Sequence, residues 1–237
     1  MTFPKDSIQS VFDFNFWWEE TDSHGIVRGS LVWAFLPHVD QVPHTIIPKG
    51  RIDPKCHDKA YVQIRPLDIR QPQARHDLPV SATTLYDGEM WCAYRAKKRP
   101  CLVLGETSKK VETVDRAGMS KRKTAQTVMV APFYGVDQNG KREGYPPAFV
   151  ERIRHIKYPQ FFWDMLPSGN TVESIMRFDQ LQPVGRDANS YEHSGYKLSQ
   201  EALALVDEVF YLYMYGAVRK NGNLKIYIDL IEENLAS

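Results

Sequence analysis

The fold is decided by two short apolar runs, Pro100-Cys101-Leu102-Val103-Leu104 and Thr127-Val128-Met129-Val130-Ala131-Pro132. Short continuous apolar runs of this kind favour buried strands over helices. Outward from these runs, similar patterns predict further strands at residues 30–36, 60–64, 174–181 and 225–231. Several short strands with few helices predict a mainly β protein, a small barrel with α additions.

Two segments carry a helical period instead. Residues 146–156 place their apolar side chains on one face. The stronger pattern begins at Ser199 as N-cap, has Glu201 in its first turn and ends at Gly216 as C-cap. At the N-terminus, residues 8–18 are rich in aromatic side chains, and Phe12, Phe14 and Phe16 alternate with polar or acidic residues, which is the period of a half-buried strand.

Length and composition describe a globular chain. The 237 residues carry a formal net charge of +1 and a hydrophobic fraction of 43%. These values exclude a disordered tail, a collagen-like fibre and a polybasic histone-like protein. Three cysteines without framework spacing indicate a reducing compartment, and the first residues lack a signal-peptide pattern. We therefore expect a cytoplasmic protein that does not enter a membrane.

The charge is unevenly distributed along the chain. Residues 91–125 hold ten basic and three acidic side chains, a net charge of +7, so the remainder carries −6. Such asymmetry indicates a surface that faces a polyanion on an otherwise acidic body. The alternative is a solvated basic loop.

One short motif, Arg177-Phe178-Asp179-Gln180, suggests a site that binds and activates a phosphodiester. In a strand, residues two apart point to the same face, so Arg177 and Asp179 are expected side by side, about 6–7 Å apart at Cα. The guanidinium can hold phosphodiester oxygens in a fork, and the carboxylate can orient it or accept a proton. The alternative is an ordinary surface ion pair, which contributes little.

Metal and cofactor motifs are weak in this sequence. Cys56-His57 with His38 and His44 lacks the close Cys pair of a structural zinc site. Walker A, G-x-G-x-x-G and G-x-S-x-G patterns do not occur. We expect no metal and no cofactor. The triplet Phe161-Phe162-Trp163 is interpreted as core or subunit interface, with base stacking as the alternative.

Taken in order, several motifs resemble the MazF/PemK family of toxin endoribonucleases. That family typically shows an R-G-D-like step, an R-P-x-L-V-L strand, a strand ending near A-P-x-[TS], a D-Q strand and a terminal helix. The corresponding segments here are Arg28-Gly29-Ser30, Arg99-Pro100-Cys101-Leu102-Val103-Leu104, Thr127-Val128-Met129-Val130-Ala131-Pro132, Arg177-Phe178-Asp179-Gln180-Leu181 and the helix from Leu198.

The resemblance implies an SH3-like β-barrel of the MazF/PemK/CcdB type, a homodimer that cuts single-stranded RNA without a metal. It implies attack by the RNA 2′-hydroxyl on the adjacent phosphate, and control by a separate antitoxin protein. The implied catalytic residues are Arg177, Asp179, Arg99 and Tyr134. Candidate RNA-binding residues come from the basic segment: Arg95, Lys97, Lys98, Lys121, Arg122 and Lys123.

The sequence also departs from this pattern. Tyr134 stands where the family has Thr or Ser, and Ser30 replaces the R-G-D aspartate. The loop from Pro37 to Lys98 spans 62 residues and is much longer than in a typical member, so His57 or His76 is a candidate to supply a missing group. The alternative function is a catalytically degenerate barrel that binds nucleic acid or a protein partner.

The predicted organisation is a single domain over residues 1–237. Its barrel core is expected at about residues 28–36 and 90–217, with an insertion at 37–89 and an N-terminal arm at 1–27.

Overall fold

The computed structural model describes residues 3–11, 16–22, 25–56, 59–68, 70, 88–105, 109–119, 121–137, 144–167, 172–187 and 189–236. This part of the chain contains eleven strands and three α-helices, which confirms a mainly β protein with α additions. The chain divides into two compact units, one formed by Met1–Phe35 and Lys98–Ser237, the other by Leu36–Lys97.

The strands follow one another along the chain as β1 (Trp18–Glu20), β2 (Ser30–Pro37), β3 (His44–Arg51), β4 (Ala60–Pro66), β5 (Cys92–Ala93), β6 (Ala96–Val103), β7 (Thr127–Gly135), β8 (Phe161–Leu166), β9 (Val172–Arg177), β10 (Gln182–Gly185) and β11 (Tyr191–Leu198). The helices are α1 (Pro147–Arg154), α2 (Gln200–Tyr215) and α3 (Leu224–Ala236). Eight strands form one sheet in the order β1-β11-β2-β6-β7-β9-β8, with β10 also paired to β7. Within the described residues the edge strands β1 and β8 are not paired with each other, so the closed barrel stays a prediction.

Strand β7 is the centre of this sheet. On one edge it pairs antiparallel with β6, through Leu102 opposite Ala131. On the other edge it pairs with β10 along its first half and with β9 along its second half. Pro132 lies where this partner changes, and prolines are normally confined to places where a ladder is interrupted.

The two faces of the sheet are buried against different helices. One face packs against α2 in the main core, through Leu102, Ala131, Phe133, Phe162 and Met176 together with Ala202, Leu205, Val206 and Val209. The opposite face forms a smaller core with α1, through Trp163, Ile175, Val150 and Ile153. Because side chains alternate along a strand, neighbouring residues of β7 and β9 are assigned to different faces.

Helix α2 confirms the predicted caps. The Ser199 hydroxyl accepts a hydrogen bond from the Ala202 amide at 3.2 Å, and Gly216 ends the helix with a positive φ of 66°. The Arg28 guanidinium forms an ion pair with Asp207 of α2 and donates to the Leu104 carbonyl at 2.7 Å. Arg28 therefore ties α2 to the sheet.

The predicted closing strand at residues 225–231 is wrong, because this segment belongs to helix α3. Leu224 and Ile231, two helical turns apart, are both buried in the main core. The Glu208 carboxylate accepts hydrogen bonds from the amides of Asn223 and Leu224 at 3.2 and 2.7 Å. These amides are free donors at a helix start, so Glu208 stabilises the helical conformation from outside the segment.

Another predicted strand is only partly correct. The strand expected at residues 174–181 ends at Arg177 and is followed by a 3-10 turn, Phe178–Gln180. The strand expected at Phe12, Phe14 and Phe16 falls mostly on residues 12–15, which lie outside the described part of the chain, between a 3-10 helix at Ile8–Val11 and β1. The strands predicted at 30–36 and 60–64 and the helix predicted at 146–156 are confirmed.

The unit Leu36–Lys97 has its own three-stranded sheet, in the order β4-β3-β5. Strands β3 and β4 pair antiparallel, with Ile46 opposite Ile64. Almost every residue of β4 is exposed, including Tyr61 and Ile64. None of the helices in the described residues combines the length and apolar composition that a bilayer crossing requires.

Asp164 of β8 is an acidic side chain inside the protein. It is 1% exposed, and its Oδ1 accepts a hydrogen bond from the Met165 amide at 2.7 Å. Burial raises the pKa of Asp164 to about 7, although hydrogen bonds from Trp17, Met165 and Trp18 act in the opposite direction. The folded protein therefore holds a proton that an exposed Asp, with a pKa near 4, has released.

We predict that this proton makes stability fall as the pH rises from about 4 to 7. The folded state binds more protons than the unfolded chain in that window, so the slope reaches about 1.4 kcal/mol per pH unit. Asp164→Asn should remove this contribution, and the unfolding free energy of the variant relative to wild type should increase between pH 5 and pH 8. Chemical denaturation at several pH values measures it, and parallel pH profiles would contradict the prediction.

Candidate functional site

Strand register brings three of the predicted catalytic residues to one face of the sheet. Continuing the β6–β7 register by two residues beyond Cys101 places Arg99 opposite Tyr134. Tyr134 is paired with Ile175 of β9, and Arg177 follows Ile175 by two residues. Since residues two apart share a face, Arg99, Tyr134 and Arg177 lie on the side that carries α1.

Both arginines contact the Tyr134 ring. The guanidinium carbon of Arg99 lies 3.9 Å from the ring centroid and that of Arg177 lies 5.5 Å from it. Arg177 also lies 5.4 Å from the centroid of Phe161. Such cation–π contacts hold a planar cation over an aromatic surface. The tyrosine thus acts as a platform for two positive charges.

Asp179 orients Arg177 through two hydrogen bonds. Arg177 Nε donates to Oδ1 at 3.0 Å and Nη2 donates to Oδ2 at 2.5 Å. The two side chains are 24% and 30% exposed, so the pair is partly desolvated but remains open to a ligand. The hydrogen bond with Asp179 raises the pKa of Arg177, which therefore stays a cation. Arg177 and Asp179 are therefore side by side, as predicted. Asp179, however, lies in the 3-10 turn Phe178–Gln180 and not in a strand.

The 3-10 turn is anchored by its first and last side chains. Phe178 is 1% exposed and packs on Phe210 and Tyr213 of α2, with ring centroids 5.2 and 6.2 Å away. The buried Gln180 accepts a hydrogen bond from the Tyr134 hydroxyl through Oε1. Phe178 is therefore directed into the core. The role of Gln180 was missed, although the quoted D-Q motif contains it.

Arg99 is a half-buried cation that has no acidic partner in the part of the chain that the structure describes. Within the described residues, no carboxylate or carbonyl accepts a hydrogen bond from its guanidinium, which lies on the Tyr134 ring instead. A guanidinium carries five N–H donors in a fork that matches a phosphate. The site therefore has a net positive charge and unused donors.

Tyr145 also belongs to this site and was missed by the sequence analysis. It lies just before α1, and its ring stacks on Phe149 with centroids 5.8 Å apart and an interplanar angle of 24°. Burial raises the pKa of Tyr145, while the charges of Arg177 and Arg99 lower it by a smaller amount. The phenol is therefore neutral at pH 7. No spacing or motif signals this residue, because the sheet brings it to the arginines.

The candidate RNA-binding lysines and arginines fall in different parts of the chain. Arg95 and Lys97 belong to the compact unit Leu36–Lys97, whereas Lys98 belongs to the other unit and forms an ion pair with Glu192. The 3-10 helix Lys121–Thr124, which carries Lys121, Arg122 and Lys123, precedes the first residue of β7, whereas Tyr134 is near its end. Thr127, the first residue of β7, and Tyr134 are about 23 Å apart at the usual rise per residue of a strand.

Other reactive groups are excluded or lie elsewhere. Burial raises the pKa of the Cys101 thiol to about 12, so it is not a nucleophile at neutral pH. Within the described residues, no group of three His, Cys, Asp or Glu side chains is placed to hold a metal ion. His57 and His76 lie outside the described residues.

Comparisons with protein-family models, with curated proteins and with solved structures found no match to this chain. The resemblance to the MazF/PemK family therefore stays a prediction based on the quoted motifs. The geometry of the site stands independently of it.

We predict that Arg99 and Arg177 bind inorganic phosphate. Phosphate should raise the melting temperature of the wild-type protein at low salt, and Arg99→Gln should abolish most of that rise. The unfolding free energy without phosphate should change by about 1 kcal/mol or less, since only a cation–π contact is lost. Thermal denaturation with increasing phosphate measures both effects.

Arg186→Gln is the matched control. Arg186 follows Gly185, which pairs with Thr127 at the opposite end of β7 from Tyr134. This variant should keep the full response to phosphate. An equal response in Arg99→Gln and wild type would contradict the assignment of the site.

Proposed function

We propose that this protein is an endoribonuclease that cleaves single-stranded RNA by attack of the 2′-hydroxyl on the adjacent phosphate. The observation that carries the proposal is the pair of guanidiniums on the Tyr134 ring, one of them held by Asp179. Two preoriented cations are the groups that stabilise a phosphorane, which gains negative charge in the transition state. The reaction needs no metal, and we propose none.

The two arginines have different roles in this proposal. Arg177 is fixed by its fork with Asp179, so it meets a phosphate oxygen with little reorganisation. Arg99 has unused donors and binds a second non-bridging oxygen. Tyr134 holds both cations and is itself held by Gln180.

Asp179 is the group that accepts the proton of the 2′-hydroxyl. Both of its oxygens receive a hydrogen bond from Arg177, but each carboxylate oxygen has a second lone pair. A carboxylate within reach of the attacking group serves as a general base, and the same contact orients the arginine.

We further propose the architecture and partners that accompany this activity in the MazF/PemK family. These are an SH3-like barrel of the MazF/PemK/CcdB type, a homodimer, a cytoplasmic location and an antitoxin protein as regulator. The support is the mainly β sheet, the order of the motifs along it and the amphipathic helix α2.

The second candidate function is nucleic-acid binding without cleavage. It is favoured by Tyr134, which replaces a small hydroxyl residue and whose hydroxyl is engaged by Gln180. The two functions differ in outcome, since a binding protein shows salt-dependent affinity for RNA or DNA but releases no product.

We predict that the purified protein cuts mixed-sequence RNA in the presence of a metal chelator. Arg177→Ala should lower the cleavage rate by about 10²–10³-fold, because it removes a preorganised charge from the transition state. Gel analysis of the products with folding checked by circular dichroism measures this. Arg186→Ala is the control and should cut at the wild-type rate.

Two results would count against the proposal. The first is a folded wild-type protein that binds RNA and never cuts it, which would favour the binding function. The second is an Arg177→Ala variant as active as wild type. In cells, expression of the wild-type protein should arrest growth, and Arg177→Ala should relieve the arrest.

A further inference from the structure

We propose that Tyr145 is a further catalytic residue of this site, the group that gives a proton to the 5′-oxygen when RNA is cut. This inference rests on the proposed ribonuclease function and extends it. The quoted motifs do not include Tyr145, and the role follows from its placement beside the arginines.

The position of Tyr145 is fixed from two sides. Its amide donates to the Val136 carbonyl at 3.2 Å, just beyond the end of β7. Its ring stacks on Phe149 of α1. Phe149 in turn packs on Phe161, with ring centroids 5.5 Å apart, and the Arg177 guanidinium carbon lies 5.4 Å from the Phe161 centroid. Tyr145 therefore belongs to the aromatic cluster beside Arg177, where the charges of Arg177, Arg99 and Asp179 influence its pKa.

The proton of the Tyr145 phenol is available for transfer. An arginine only donates hydrogen bonds, so neither Arg177 nor Arg99 can accept the phenol proton, and the O–H remains for another acceptor. Among the side-chain hydrogen bonds of the described residues, none has the Tyr145 hydroxyl as its donor, whereas the Tyr134 hydroxyl donates to Gln180. A phosphate held by Arg177 would place its oxygens in front of the Tyr145 hydroxyl.

Other groups at the site are poor proton donors for a leaving oxygen. The Tyr134 hydroxyl donates its hydrogen bond to Gln180. Arg99 and Arg177 cannot act as acids, because an arginine side chain stays protonated in proteins. Burial keeps the pKa of Tyr145 above its ordinary value, so the phenol carries its proton at neutral pH. The tyrosinate left after transfer lies next to Arg177 and Arg99 and is stabilised by them.

In the cleavage step, Asp179 accepts one proton and Tyr145 donates another. The 2′-oxygen forms a bond to phosphorus and loses its proton to the Asp179 carboxylate. The bond from phosphorus to the 5′-oxygen breaks, and that oxygen takes the proton of Tyr145. The products are a 2′,3′-cyclic phosphate and a 5′-hydroxyl, and transfer of a proton from Asp179 to Tyr145 through water restores the enzyme.

The test compares two substrates with the same cut site, one with the natural 5′-oxygen and one with sulfur in its place. A thiolate leaves without protonation, because a thiol has a pKa near 8.5. Tyr145→Phe should cut the oxygen substrate about 10²–10⁴-fold more slowly than wild type. It should cut the sulfur substrate at the wild-type rate within a few-fold.

Each outcome decides a different point. An equal loss on both substrates, or no loss on either, would overturn the role of Tyr145 and leave the ribonuclease function in place. If the wild-type protein cuts neither substrate, the proposed function fails and this inference fails with it. Arg177→Ala should lose activity on both substrates, because it acts on the phosphate and not on the leaving group.

Tyr158→Phe is the matched control for the loss of one phenol. Tyr158 also packs on Phe149, with centroids 5.4 Å apart, but its hydroxyl accepts from Arg152 at 3.2 Å. This variant should cut both substrates at the wild-type rates. Melting temperatures of the two variants check that the aromatic cluster stays intact.

Discussion

The pairing of β7 with three other strands is the interaction on which the rest of this structure depends. Because β6 lies on one edge and β10 and β9 share the other, a single strand fixes the register of all of them. Alternation along β7 then sends Phe133 into the core under α2 and Tyr134 to the opposite face. The chemistry of the site is thus set by the same register that builds the core.

The corner between β9 and β10 converts that register into a charged site. Phe178 is inserted between aromatic rings of α2, so the backbone on either side of it is held in place. Arg177 precedes it and Asp179 follows it, and both point away from the core. A buried side chain between two charged neighbours is an effective way to hold a guanidinium and a carboxylate in a fork.

The sequence predicts those features that depend on local pattern. The apolar runs locate β6 and β7, and Ser199 and Gly216 locate α2. Helix α3 is misjudged because its start is stabilised by Glu208, a residue sixteen positions away from Leu224. The sequence does not predict Tyr145 as a site residue for a similar reason, since only the folded chain brings it close to Arg177. Contacts between distant residues carry no periodicity, so no pattern reveals them.

The compact unit Leu36–Lys97 is joined to the rest of the chain at β2 and β6, which are neighbours in the large sheet. Both of its junctions therefore fall on adjacent strands, and its length does not enter the pairing of β7 with β9 and β10. A longer or shorter unit alters the connection between two adjacent strands and leaves the register of β7 with its neighbours unchanged. The number of residues in this connection is thus a variable separate from the strand pairing that places Tyr134 beside Arg177.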